Sequence, residues 1–296
     1  MPIYPPAMRI PPRLMPAIVT PFNRKGEVDV AAHAHNIGFL AARGVAGFVI
    51  GGSTGEGPYL EPGERSRLTA ASRAAAPDSF LMVGLAAESL RIAEAMAGEA
   101  ADGGADAVLA LSPTTLVRHR PDLVEEYFRE LAARATLPVL LYSVPRVTGV
   151  ELAPDSAIRL SEEPNVAGMK DSGGHPGRIS TIARAAGSDF FVFCGASAAV
   201  ALSVGGGAYG AITASANYAP ALATRVVENA RVGSSLADQD ALGALADSVE
   251  RHGVAGVKYA ASRVGLLTGP PRRPLIAPSR GARREIDRAL ADAGLV

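Results

Sequence analysis

Residues 164–174 read Pro-Asn-Val-Ala-Gly-Met-Lys-Asp-Ser-Gly-Gly, a short apolar run that follows a proline and stops at charged residues and glycines. This pattern predicts a buried strand over residues 165–170 with Lys170 at its end. Burial disfavours the charged form of a lysine. Lys170 is therefore either paired with a carboxylate such as Asp171, or held as a neutral amine that can act as a nucleophile.

The composition of the basic residues favours the second reading. The chain has 29 lysines and arginines, of which only Lys25, Lys170 and Lys258 are lysines. Arginine supplies positive charge elsewhere but cannot lose its proton and attack a carbonyl group, so a retained lysine calls for a specific reason. Lys25 lies in a polar turn and Lys258 in a C-terminal helical pattern, and we expect neither to have a special role.

Working outward from residues 165–170, short apolar runs recur along the chain. They predict eight strands, at residues 14–20, 46–50, 80–85, 106–111, 138–142, 165–170, 190–194 and 208–213. Their nearly continuous apolar character is typical of strands covered on both faces. Helical patterns lie between them, including one capped by Asp29 and one opened by Pro121. The alternation predicts an α/β fold, a (β/α)₈ TIM barrel.

After residue 213 the pattern is helical only, with candidates at 219–231, 236–251, 254–267 and 283–292. We therefore predict a barrel over residues 14–218 that carries the active site, and a C-terminal helical extension over residues 219–296. A doubly wound sheet also alternates strands and helices. The regular eightfold pattern, without Gly-x-Gly-x-x-Gly after the first strand, favours the barrel.

Composition and charge limit the classes of partner that we expect. The formal net charge is zero, so neither nucleic acid nor an anionic membrane is indicated, and small metabolites are the expected partners. The single cysteine, Cys194, lies in an apolar run and is expected to be a buried, inert thiol. Residues 1–13 are proline-rich and lack a signal-peptide core, which predicts an extended arm on a cytoplasmic protein.

Other common chemistries find little support. The five histidines, which we expect at the surface or rim, are not spaced as metal ligands, so no metal site is predicted. No Gly-x-Ser-x-Gly follows a strand, as a serine hydrolase would need. Glu56 and Asp171 are the only obvious strand-end carboxylates for a glycosidase-like pair.

In a TIM barrel the chemistry lies at the carboxyl ends of the strands. Residues 51–57, Gly-Gly-Ser-Thr-Gly-Glu-Gly, follow the second strand, where backbone amides and the hydroxyls of Ser53 and Thr54 could hold a small anion. A tight loop without a ligand is the alternative. Tyr142 ends the fifth strand, and it is either an amphipathic rim residue or, beside an amine nucleophile, a proton shuttle.

Four motifs in order resemble the dihydrodipicolinate synthase and N-acetylneuraminate lyase family of class I, pyruvate-dependent aldolases. They are residues 52–56, residues 142–145 with Thr148-Gly149, residues 168–172 and residues 210–213. The resemblance covers essentially the whole chain after the proline-rich arm. In motif the chain is most similar to 4-hydroxy-2-oxoglutarate aldolases within that family.

The resemblance implies that Lys170 forms a Schiff base with pyruvate, a covalent imine that needs no metal or organic cofactor. It further implies that Tyr142 and Thr54 are catalytic, and that pyruvate or the substrate is bound by Ser53, Thr54, Ser172, Gly195 and Ile212. It also implies a homotetramer built as a dimer of dimers.

Members of this family differ in the substrate that reacts with pyruvate or yields it. A dihydrodipicolinate synthase is expected to have a second tyrosine after the fourth strand and an arginine directly before Thr148; this chain has Thr115 and Val147 there, with Arg146 one residue earlier. We therefore predict a lyase that cleaves a 4-hydroxy-2-oxo acid, such as 4-hydroxy-2-oxoglutarate, to pyruvate and an aldehyde. The alternatives are the synthase, which condenses pyruvate with aspartate semialdehyde, and a noncatalytic 2-oxo acid binding protein.

Overall fold

The computed structural model describes residues 8–233 and 236–296. All eight predicted strands are present and parallel, in the order β1-β8-β7-β6-β5-β4-β3-β2, and a bridge between Ala17 and Val49 joins β1 to β2. The molecule is a TIM barrel, as predicted. Its strands are β1 (Leu14–Pro16), β2 (Gly47–Ile50), β3 (Phe80–Leu85), β4 (Ala107–Leu111), β5 (Val139–Ser143), β6 (Val166–Asp171), β7 (Phe191–Cys194) and β8 (Gly210–Thr213).

Helices connect the strands and form the outer layer. They are α1 (Val30–Ala41), α2 (Glu64–Ala75), α3 (Leu90–Asp102), α4 (Pro121–Arg134), α5 (Pro145–Thr148), α6 (Pro154–Leu160), α7 (Pro176–Ala185), α8 (Val200–Gly205), α9 (Pro220–Arg231), α10 (Ala237–Glu250), α11 (Gly253–Arg263) and α12 (Arg280–Asp292). The predicted start signals are confirmed: the Asp29 carboxylate accepts a hydrogen bond from the Ala32 amide, and α4 begins at Pro121.

The apolar residues divide into two clusters because successive strand residues face opposite sides of the barrel wall. The larger cluster lies between the strands and the helices. The smaller one fills the barrel and includes Met15, Met82, Leu140, Phe193 and Ile212. Tyr142 belongs to this inner cluster, so its phenol is supported from below by a packed core.

The C-terminal helices bring a second set of side chains to the barrel. Helix α9 packs against α8 and β1, while α10, α11 and α12 pack on one another and α10 contacts the turn after β7. The division at residue 219 stays a prediction. What matters for the site is that α10 and α11 lie beside the carboxyl ends of the strands.

The arm predicted over residues 1–13 lies partly outside the described residues, which begin at Met8. In the described part, Arg9 forms an ion pair with Asp106 at 3.2 Å. Within residues 8–233 and 236–296, none of the helices combines the length and the hydropathy that crossing a membrane would require.

Candidate active site

A cavity of about 460 Å³ opens at the carboxyl ends of the strands. Residues of the predicted site line it: Ser53, Thr54, Tyr142, Lys170, Ser172 and Gly195. Other side chains come from α5, α10 and α11, so the C-terminal helices form one wall. The structure thus brings together residues that lie up to 142 positions apart in the chain, from Ser53 to Gly195.

Lys170 is buried at 4% exposure near the end of β6. Its neighbour Asp171 lies on the opposite face of the strand, where its carboxylate accepts hydrogen bonds from Arg178 at 2.7 Å and from the Gly173 amide at 2.8 Å. Within the described residues Lys170 makes no ion pair with any carboxylate. The structural alternative of a Lys170–Asp171 pair is therefore wrong.

Tyr142 contacts Lys170 directly. The two residues are directly opposite in the parallel register of β5 and β6, and the Lys170 amine lies 3.3 Å from the Tyr142 hydroxyl. Burial alone raises the pKa of this phenol, but the charge of Lys170 and polar contacts lower the pKa below the ordinary tyrosine value. A phenol that releases its proton more readily than usual is suited to proton transfer.

The loop after β2 places Ser53 and Thr54 at the cavity wall. Gly57 lets the loop fold tightly, because a Cβ there would lie 1.8 Å from the Gly51 carbonyl oxygen. The Ser53 hydroxyl is buried without a hydrogen-bond partner among the described residues. Buried polar groups are almost always paired, so an unpaired hydroxyl in a cavity wall marks a place for a ligand.

Ser172 and Gly195 lie next to Lys170. The Ser172 hydroxyl is also buried and unpartnered within the described part of the chain. It lowers the pKa of the Tyr142 phenol without completing a well-formed hydrogen bond to it. A Cβ at Gly195 would lie 2.0 Å from the Ser172 hydroxyl and 2.8 Å from the Lys170 Cε. Gly195 is thus required by the space that these two side chains occupy.

Ile212, the remaining expected contact, is not part of the cavity wall. It is fully buried in the inner cluster with Tyr142 and Phe193. A direct contact between Ile212 and a substrate stays a prediction.

Lys258 corrects the expectation that it has no special role. Its amine is 2% exposed and donates hydrogen bonds to the Glu56 carboxylate at 2.8 Å, to the Thr20 carbonyl at 2.8 Å and to the Pro270 carbonyl at 2.9 Å. Burial lowers the pKa of Lys258, and Glu56 offsets only part of that change. Glu56 also accepts a hydrogen bond from the Arg272 amide at 2.7 Å. Because Glu56 belongs to the Ser53–Thr54 loop, this pair ties the loop to the C-terminal segment.

Four charged cavity residues escaped the sequence analysis as site candidates: Arg146, Asp247, Glu250 and Arg251. The last three lie in helical sequence with no distinguishing pattern. Arg146 makes no hydrogen bond or ion pair with any described residue and stands exposed at the cavity mouth. Glu56 and Asp171, the carboxylates expected from sequence, do not line the cavity at all.

His33 and Cys194 are both buried away from the cavity wall. His33 is fully buried, with its Nε2 2.8 Å from the Ser72 hydroxyl, so its expected surface position is wrong. It lies on the helix face that packs against α2. Cys194 is buried as predicted, and burial raises the pKa of its thiol. Among the described residues, no three His, Cys, Asp or Glu side chains converge in a way that could hold a metal ion.

Comparisons with known proteins agree with this geometry. A family model described as the dihydrodipicolinate synthetase family matches residues 11–293. A "probable 4-hydroxy-2-oxoglutarate aldolase, mitochondrial" from Emericella nidulans is 34% identical over 282 residues, covering 90% of this chain and 91% of that protein. The 4-hydroxy-tetrahydrodipicolinate synthase 1 of Streptomyces coelicolor is 31% identical over 278 residues, covering 92% and 90%.

Among solved structures, the chloride-inhibited dihydrodipicolinate synthase from Acinetobacter baumannii, complexed with pyruvate, superposes with a TM-score of 0.89. It is 27% identical, and the match covers 95% of this chain and 98% of that one. The family model spans the barrel and the C-terminal helices alike. This chain therefore belongs to the dihydrodipicolinate synthetase family.

Proposed function

We propose that the protein is a class I aldolase that forms a Schiff base through Lys170 and joins or cleaves pyruvate and an aldehyde. Its substrate would be a 4-hydroxy-2-oxo acid such as 4-hydroxy-2-oxoglutarate. The observation that carries this proposal is a buried lysine amine without a carboxylate partner among the described residues, 3.3 Å from a phenol, in an open cavity. Family membership supports a lyase of this kind.

The proposed reaction begins when the neutral Lys170 amine attacks the C2 ketone of the 2-oxo acid. A carbinolamine forms, and loss of one water gives an imine whose nitrogen is protonated. The C3–C4 bond then breaks, and its electron pair moves toward that nitrogen to give an enamine. A proton is added at C3, and water releases pyruvate and restores the amine. In this proposal Tyr142 carries protons at the nitrogen and at C3.

The carboxylate of the 2-oxo acid would be held beside Lys170. Ser53 and Ser172 provide buried hydroxyls that have no partner among the described residues, and Thr54 lies next to Ser53 in the cavity wall. Hydroxyl donors directed at an anion form hydrogen bonds that are stronger than neutral ones. We infer that this set fixes C2 of the substrate within reach of the Lys170 amine.

The part of the cavity that would hold the aldehyde favours an aldolase over a synthase. Tyr142 is the only phenol among the described residues that line the cavity, and the loop at residues 112–117 does not reach it. That loop is instead held at Thr114 and Thr115 by the Glu88 carboxylate. The unpaired Arg146 guanidinium at the mouth is suited to a carboxylate on the aldehyde. Since aspartate semialdehyde also carries a carboxylate, the synthase reaction is the second candidate, which the Streptomyces relative supports.

Borohydride trapping tests the first half-reaction. The protein is incubated with pyruvate, reduced, digested and analysed by mass spectrometry, and we expect the mass of a reduced pyruvate adduct on the peptide that contains Lys170. The exposed Lys25 and the buried Lys258 are internal controls in the same sample, because the chain has no other lysine. No adduct, or equal adducts on all three, would refute the proposal and favour a noncatalytic binding protein.

Coupled assays distinguish the two candidate reactions. Pyruvate released from 4-hydroxy-2-oxoglutarate is compared with pyruvate consumed in the presence of aspartate semialdehyde, at equal enzyme concentration. Faster turnover in the first assay supports the aldolase, and activity in the second alone refutes it. The proposed chemistry uses the amine of Lys170 and no metal or organic cofactor, so dialysis against a chelator should leave the rate unchanged. We also infer a homotetramer, which light scattering after size-exclusion chromatography would test.

A further inference from the structure

A carboxyl group from outside the barrel strands reaches the cavity at Glu250. This residue ends α10 and lines the same cavity as Lys170 and Tyr142. Among the described residues that line the cavity, the only other carboxyl is Asp247. Its side chain is 70% exposed and forms an ion pair with Arg251. Among the described residues that line the cavity, Glu250 is therefore the one largely buried acid that faces the space where a substrate would lie.

The hydrogen bonds of Glu250 leave half of its carboxyl group available. Its Oε1 accepts hydrogen bonds from the Ser197 hydroxyl at 2.7 Å and from the Tyr218 hydroxyl at 3.2 Å. Within residues 8–233 and 236–296, Oε2 makes no hydrogen bond or ion pair. One oxygen is thus fixed by two donors while the other remains free for a ligand, which is the arrangement of a positioned acid–base group rather than of a structural ion pair.

The surroundings of Glu250 favour proton exchange. Burial raises the pKa of its carboxyl group above the ordinary glutamate value, and this is the largest effect. Hydrogen bonds from Ser197 and Tyr218 oppose that change. The positive charges of Lys170 on β6 and Arg146 on α5 oppose it as well, but they do not cancel it. A carboxyl group held between these influences can both take up and release a proton.

We propose that Glu250 is a catalytic residue for the aldehyde half of the reaction, exchanging a proton with the oxygen atom on C4 of the 4-hydroxy-2-oxo acid. This inference rests on the proposed aldolase function and divides the proton transfers between two groups. Tyr142, 3.3 Å from the Lys170 amine, serves the nitrogen and C3. Glu250, on the helical wall, serves the oxygen that becomes the aldehyde.

In the cleavage direction, the ionised Glu250 takes the proton of the C4 hydroxyl, and the electron pair of that O–H bond forms the second bond between C4 and oxygen. The C3–C4 bond breaks, and its electron pair moves toward the imine to give the enamine. The products are a neutral Glu250, a free aldehyde and the enamine on Lys170. In condensation the same proton returns from Glu250 to the aldehyde oxygen as the new carbon–carbon bond forms. No oxidant or further reactant is needed.

The test separates the two halves of the reaction with the variant Glu250→Gln. The amide oxygen of glutamine can still accept from Ser197 and Tyr218, so the shape of the site is preserved, while the acid–base function is lost. Asp240→Asn, which changes an exposed carboxylate on the same helix, is the matched control. Two rates are measured for each protein: exchange of pyruvate methyl protons with D₂O without aldehyde, and cleavage of 4-hydroxy-2-oxoglutarate.

We expect Glu250→Gln to exchange pyruvate protons within about threefold of the wild-type rate, and to lose about 10² to 10⁴-fold in cleavage, the usual contribution of general acid–base catalysis. Glu250→Asp, which keeps an acid on a shorter arm, should recover part of that rate. Cleavage by Glu250→Gln within about threefold of wild type would overturn the inference. So would an equal loss of exchange and cleavage, because Glu250 would then serve the pyruvate half or the fold.

Failure of the underlying function has a different signature. If wild-type protein forms no borohydride-trapped adduct at Lys170, the aldolase proposal fails and this inference fails with it. If wild-type protein forms the adduct but does not cleave 4-hydroxy-2-oxoglutarate, the same variants are compared in condensation with aspartate semialdehyde, whose aldehyde oxygen also gains a proton. A selective loss there supports the role of Glu250, and an unchanged rate overturns it. Thermal melting followed by circular dichroism identifies any variant that has not folded. Such a variant is replaced by Ser197→Ala, which removes one of the two donors to Oε1, and a selective loss of cleavage is expected.

Discussion

Replacing Lys258 by methionine should destabilise the protein strongly although the change lies outside the cavity wall. The three donors of the ammonium group are all used, on Glu56, Thr20 and Pro270, at 2.8 to 2.9 Å. Methionine is unbranched and only one atom shorter than lysine, but it donates none of these hydrogen bonds. The Glu56 carboxylate, whose side chain has 0% exposure, would keep only the hydrogen bond from the Arg272 amide on Oε2.

The expected loss is about 3 to 5 kcal/mol in the free energy of unfolding, the range observed when one partner of a buried ion pair is removed. The reason is the remaining partner: a buried carboxylate without its cation costs more than the pair contributes. The double variant Lys258→Met with Glu56→Gln removes that isolated charge. It should therefore lose less than the two single variants together, with a coupling of about 1 to 3 kcal/mol.

Urea denaturation followed by circular dichroism measures these free energies, at matched protein concentrations. Lys25→Met, at an exposed lysine in the polar turn before α1, is the control and should change stability by less than about 0.5 kcal/mol. A loss below about 1 kcal/mol for Lys258→Met would contradict the reasoning, because it would mean that Glu56 finds another partner or is already neutral. Additive effects in the double variant would contradict the direct pairing of the two residues.

Four further predictions concern the site and the fold. Tyr142→Phe should lower both pyruvate proton exchange and aldol cleavage by about 10² to 10⁴-fold, measured by proton NMR and a coupled assay, because we propose that the phenol transfers protons at the imine nitrogen and at C3. Gly195→Ala should lower trapping at Lys170 by about 100-fold in rate, because the added methyl group displaces the reacting amine. Arg146→Ala should raise the KM for aldehydes that carry a carboxylate by about tenfold or more, with unchanged pyruvate exchange, since a charge-assisted hydrogen bond is lost. Burial lowers the pKa of His33 from 6.5 to about 4, so between these two pH values the unfolded chain binds a proton at His33 and the folded chain does not. Stability should therefore fall by about 2 kcal/mol between pH 7 and pH 5, and less in His33→Gln.

For Tyr142, Gly195 and His33, specific results would contradict the prediction. Equal activity of Tyr142→Phe would remove the phenol from the mechanism. Normal trapping in Gly195→Ala would mean that the site has more room than the Cβ distances indicate. For His33, the control is His35→Gln at an exposed position on the same helix, which should keep the wild-type pH dependence of urea unfolding. Identical pH profiles for both histidine variants would rule out a contribution from burial of His33.

Local sequence was sufficient to predict the barrel and to single out Lys170 as a candidate. Strands covered on both faces must be apolar throughout, and each is followed by a helix, so residues 165–170 and the seven similar runs could be identified without distant contacts. Lys170 stood out because a charged residue at the end of such a run is costly to bury. The strand-end rule then selected Tyr142, Ser53 and Thr54, because strand ends converge in a closed parallel barrel.

The remaining features of the site were decided by tertiary structure. Tyr142 lies opposite Lys170 because of the register between β5 and β6. That register is set by packing across the barrel and not by either strand alone. Glu250 and Lys258 lie in helical segments whose sequence gives no sign of a partner, and they become an enclosed acid and a buried cation only when α10 and α11 fold back onto the strand ends. Desolvation depends on every atom around a group, so the burial that changes their charge behaviour arises with tertiary packing.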